Sequence, residues 1–185
     1  MAYVGFGALW LPIVLSAVIV FIASSIFHVV LPFHRSDYKQ LPNEDAAAAA
    51  LRGVPPGQYI IPHCTHDRMR SPEVLEKFKT GPVCTVLMRQ PGPVNMGKFL
   101  GLWFVYCLIV GVFAAYISGR TLAPGTHYLQ VFRVAGATSF MAYGVANFTN
   151  GIWKGEPWSV VVKEIVDGLI YAMLLAGTFG WLWPK

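Results

Sequence analysis

Hydrophobic positions in this chain fall into four long runs, at about residues 9–31, 99–119, 128–147 and 158–183. At ~1.5 Å of rise per residue, a helix of about 20 residues crosses the ~30 Å hydrocarbon core of a bilayer. Each run is about that long, and none shows the polar alternation of a surface helix. Trp10, Trp158 and Trp183 stand at run ends, where amphipathic rings settle at a membrane interface. The pattern predicts an all-α polytopic membrane protein. Four transmembrane helices carry a small extramembrane α/β insert between the first and second. The chain divides into an N-terminus and first helix (1–31), the insert (32–97) and a three-helix membrane region (98–185).

Small residues recur every fourth position in two of the runs. The last run carries Gly168, Ala172, Ala176 and Gly180, and the second carries Gly111, Ala115 and Gly119. That spacing puts small side chains on one helical face, where a neighbouring backbone can approach closely. Such a ladder predicts tight packing inside the bundle, against a partner protein, or against a second copy.

The insert has a different grammar. It holds eight of the fourteen Lys and Arg residues and six of the nine Asp and Glu residues, so it cannot lie in hydrocarbon. Asn43, Glu44 and Asp45 start a helix with a capping residue and first-turn acids, and Gly53 stops it. Ser71 and Pro72 start a second helix, which ends before Gly81 and Pro82. Residues 58–61 and 83–88 are strand candidates.

Composition narrows the class further. Hydrophobic residues make up 55% of the 185 and charged residues only 12%, too few for the surface of a soluble domain this size. The formal charge of +5 comes without a basic stripe or RNA-binding module, so no nucleic-acid partner is expected. The bilayer is the expected environment, and Lys and Arg set orientation in it. Arg35, Lys39, Lys98, Lys154 and Lys163 flank one side, Arg120 and Lys185 the other. This puts the insert in the cytoplasm and both termini outside, in what reads as a bacterial inner (plasma) membrane. No Lys or Arg precedes Arg35, so the first run lacks the basic start of a cleaved signal peptide and is expected to remain a span.

Polar groups within apolar runs need a partner or a purpose. Measured by helical rise from the interface, Asp167 lies about 14 Å in, Tyr106 about 12 Å, and His28 and Asn147 about 9 Å each. These four residues, from four different helices, are the candidate intramembrane polar cluster. The plainer alternative pairs Asp167 with Lys163 one turn earlier.

The second candidate chemistry is in the insert, where His63, Cys64 and His66 precede Cys84 on the other strand. Cys and His at this density can ligate zinc, but the spacing matches no finger, ribbon or protease pattern. A metal, a Cys64–Cys84 disulfide and ordinary loop residues all remain open. No cofactor is otherwise expected. There is no P-loop, dinucleotide fingerprint, nucleophile elbow or H-E-x-x-H. A haem between spans is not expected, since His28 and His127 lie at opposite faces and His34 sits near the headgroups.

These features favour an accessory, assembly or interaction subunit of a membrane complex over an enzyme. The alternative is a small oligomeric transporter or channel with a proton or cation site near His28 and Asp167. A second alternative is a membrane enzyme working through the insert.

Overall fold

A computed structural model describes residues 3–185. Among the described residues the chain is mostly helical, with α1 (Trp10–Ser25), α2 (Glu44–Leu51), α3 (Pro72–Thr80), α4 (Met96–Thr121), α5 (Tyr128–Tyr143) and α6 (Trp158–Trp181). Strands β1 (Gly57–Ile61) and β2 (Cys84–Met88) form its two-stranded sheet. Two compact units result. One takes the chain up to Asp37, Asn95–Ile152 and Glu156–Lys185, and the other takes Tyr38–Val94 with Trp153–Gly155.

The first unit packs α1, α4, α5 and α6. α1 touches α4 and α6, and α5 touches the same two. Its core joins Leu9, Ala17 and Val20 to Cys107 and Ala114 of α4, Val131 and Ala135 of α5, and Leu175 and Phe179 of α6. The small residues let these helices meet. A Cβ on Gly168 would overlap the Tyr143 carbonyl of α5, and one on Gly180 would come within 2.6 Å of the Tyr128 ring. On α4, Gly111 faces Ile13 of α1 and Gly119 faces the Val4 carbonyl, while Ala115 is buried. Ala172 and Ala176 are buried too. The ladder is therefore occupied within the chain.

Two segments are long and apolar enough to cross a bilayer by length and composition. Trp10–Val30 has 21 residues and α4 has 26, and their most apolar 18-residue stretches reach mean hydropathies of 2.6 and 2.2. The other two runs depart from the expected spans. α5 has only 16 residues, stops at Tyr143 before Gly144, and continues as a single 3-10 turn over Val145–Asn147. α6 runs 24 residues but carries Lys163, Glu164 and Asp167 in its N-terminal half. α4 begins earlier than the apolar run, because the Asn95 side chain accepts a hydrogen bond from the Lys98 amide at 3.0 Å and caps it.

The second unit holds α2, α3 and the antiparallel β1–β2 pair, with Gly57 opposite Met88 and Ile61 opposite Cys84. Ser71 caps α3 by accepting from the Val74 amide, and Gly81, at φ 68°, ends it. The Asn43 side chain makes no capping bond to α2. The unit is also smaller than the charge pattern suggested. Residues 32–37 belong with the helices, because α6 carries partners of the His34, Ser36 and Asp37 side chains.

Candidate functional site

After α1, the helix widens over Ile26–Val30 into a π-turn. Leu31 then leads into a short 3-10 turn, Pro32–His34, whose proline sets its start. This puts His28, His34 and Asp37 along one short stretch. Opposite them, α6 presents Lys163 and Asp167 one helical turn apart, on the same face.

The two stretches are complementary in charge and spacing. His34 Nε2 is 2.7 Å from Asp167 Oδ2, and His34 Nδ1 is 2.5 Å from Asp37 Oδ2. The Lys163 ammonium donates to the other Asp37 oxygen at 2.6 Å, to the Phe33 carbonyl at 2.8 Å and to Ser36 Oγ at 2.9 Å. It also lies 5.2 Å from the centre of the Phe33 ring. Asp167 is 4% exposed, and among the described residues its side-chain hydrogen bond is to His34. His28 packs on His34 with ring centres 4.2 Å apart and remains open to the surface. Burial would raise the Asp37 carboxyl. The Lys163 and His34 hydrogen bonds and charges outweigh that and hold it below the usual carboxylate range.

A donor count defines what the site lacks. A neutral imidazole has one N–H and one lone pair. Both His34 nitrogens face carboxylate oxygens, which are acceptors when ionised. A neutral ring therefore satisfies one carboxylate and leaves the other facing a lone pair, and the arrangement is completed by one further cation, either a proton or a metal. Two aspartates and one lysine leave the same single negative charge to balance.

Of the four residues expected to converge, the structure brings His28 and Asp167 to one place, through His34. Tyr106 and Asn147 lie elsewhere. The Tyr106 hydroxyl donates to the Ala142 carbonyl at 2.9 Å, within an aromatic group formed with Trp103 and Tyr143. The Asn147 amide donates to the Tyr143 carbonyl at 2.9 Å. Lys163 does not pair with Asp167. It reaches the loop after α1 instead. The signal for His34 and Asp37 was present as a three-residue spacing of imidazole and carboxylate, opposite a four-residue spacing of ammonium and carboxylate.

In the insert, Cys64 and Cys84 are free thiols, so no disulfide joins them. Among the described residues, the His, Cys, Asp and Glu group within ligating reach of a single ion is His28, His34 and Asp167. His63, Cys64, His66 and Cys84 do not form such a group.

Compared with family models, curated proteins and solved structures, the chain finds no match in any of the three.

Proposed function

We propose that this chain is a small polytopic membrane protein that holds a cation where its first and last spans meet, and that it acts as a transporter or channel. One observation carries this reading: His34 stands between two aspartates, one donor short of satisfying them. A buried carboxylate in an apolar helix is costly unless compensated. Here the compensation is a single imidazole whose own hydrogen bonding requires an added cation. In this reading α5 and α6 complete four spans, the insert lies in the cytoplasm of a bacterial cell, and both termini lie outside. The site then sits near the cytoplasmic interface, at a depth a solvated ion can reach.

The reading as an accessory subunit relied on small-residue faces left over for a partner. Those faces meet helices of the same chain, so that argument loses its particular support. Native mass measurement after mild detergent extraction addresses it, since a partner would travel with the particle.

Proteoliposomes carrying the full chain and an internal pH-sensitive or metal-sensitive dye test the proposal. Wild-type vesicles should pass a proton or a divalent metal faster than empty vesicles, and Asp167→Asn should abolish the difference. Equal flux in wild-type and Asp167→Asn vesicles overturns it.

A further inference from the structure

We propose that His28, His34 and Asp167 are the protein ligands of a divalent transition-metal ion, with Asp37 orienting His34 from behind. This rests on reading the site as a cation site, and it names the ion class. One ligand atom from each residue lies within 4.8 Å of the other two. Ligands bound at ~2.0–2.2 Å to a common ion stand about 3–3.5 Å apart, so the 2.7 Å His34–Asp167 pair opens slightly and the widest separation closes by roughly an ångström to bind. His28 is the residue free to make that move, because it is exposed and lies within a widened turn of helix.

The surroundings match what metal-ligating histidines use. Such a histidine donates its second N–H to a carboxylate or carbonyl, which fixes its tautomer and raises its basicity. His34 has that partner in Asp37 Oδ2 at 2.5 Å. Asp37 is in turn held by Lys163, which also grips the Phe33 carbonyl and Ser36. The loop is therefore fastened before any ion arrives. In the ion-bound state Nδ1–H is donated to Asp37, the Nε2 lone pair faces Asp167, and the ion takes the place of a proton between them.

Ligand chemistry selects the class. Two imidazoles and one carboxylate suit zinc, iron, cobalt or nickel in the divalent state. Calcium and magnesium prefer all-oxygen shells. Three protein ligands leave a position open to water or to a passing group on the exposed His28 side, which is the pattern of a working site rather than a closed structural one.

The experiment uses the full chain in detergent, stripped with a chelator, and titrated with zinc by calorimetry and with cobalt by visible absorption. The expected result is one ion per chain. Asp37→Asn should weaken binding by about 10–100-fold, and His28→Ala by more. A Cys64→Ser, Cys84→Ser double variant should bind as wild type does. His28→Ala leaves the His34–Asp167 contact intact, and a monodisperse size-exclusion profile separates a lost ligand from a lost fold. If Asp37→Asn disturbs the fold, His28→Ala alone still decides. Zinc and cobalt affinity unchanged in His28→Ala, or no saturable binding by wild type, overturns the metal site. Proton flux in proteoliposomes without metal binding would leave the cation reading standing with the proton as its ion. Metal binding without flux would keep this site and remove transport.

Discussion

At the scale of single residues, the polar cluster was half legible. Asp167 and His28 stand out because ionisable groups interrupt apolar runs, and the structure brings both to one place through His34. Depth alone points to Tyr106 and Asn147. Depth fixes position along a helix and leaves direction around it undetermined, and both turn to neighbouring carbonyls instead. Charge density places His34 and Asp37 with the insert, because it marks where water begins and a short ion-paired loop reads like any other polar segment. Asp37 also allows a prediction with a definite sign. Its folded carboxyl is held below the ordinary value of ~3.9, so the unfolded chain takes the proton first as pH falls. The stabilisation from its pairs is complete above about pH 4–5 and is lost as pH drops through the lower folded value. Thermal unfolding in detergent from neutral pH downward should therefore show a steeper acid decline for wild type than for Asp37→Asn. At neutral pH the variant should be less stable by about 1.5–3 kcal/mol, the usual worth of a charged hydrogen bond. Parallel acid slopes for the two proteins would show that Asp37 contributes none of this dependence.

At the scale of elements, start and stop signals were more reliable than hydrophobic extent. Ser71, Pro72 and Gly81 delimit α3 as their chemistry requires. The strand candidates pair within a residue of their expected bounds. The apolar run at 128–147 overran its helix, because Gly144 ends the regular hydrogen bonding while apolar residues continue past it. The small-residue ladder on α6 was legible as a packing face, but its partner was not, since a spacing of four does not say which helix approaches. That partner is α5, and the contact is tight enough to test. Gly168→Ala puts a methyl into the Tyr143 carbonyl and the Gly144 Cα, both backbone atoms that cannot rotate aside. Overpacking of this kind costs about 1–3 kcal/mol, and unfolding in detergent should report that loss. Gly101→Ala on α4 is the matched control, because nothing lies within 4 Å of a Cβ there. A loss of the same size in both variants would point to glycine's backbone rather than to the α5–α6 contact.

At the scale of the whole molecule, orientation in the membrane follows from which basic residues count. Lys163 was one of five on the insert side, and the structure engages its ammonium with Asp37. The positive-inside bias counts Lys and Arg near span ends and gives acids little weight. Even with Lys163 set aside, Arg35, Lys39, Lys98 and Lys154 outnumber Arg120 and Lys185. The cysteines make this measurable without introducing any residue. Cys84 is exposed within its unit, Cys64 is partly covered and Cys107 is buried in the helical core. A membrane-impermeant maleimide should leave Cys84 unlabelled in intact bacterial cells expressing the chain, and should label it in inside-out vesicles. Cys107 should stay unlabelled in both until detergent and denaturant open the bundle, which checks that the reagent has not leaked through the core. Cys64→Ser removes ambiguity about which insert thiol reacts. Labelling of Cys84 from outside intact cells would invert the orientation. The His28, His34 and Asp167 group would then draw its ion from the exterior, and the donor count that calls for that ion would be unchanged.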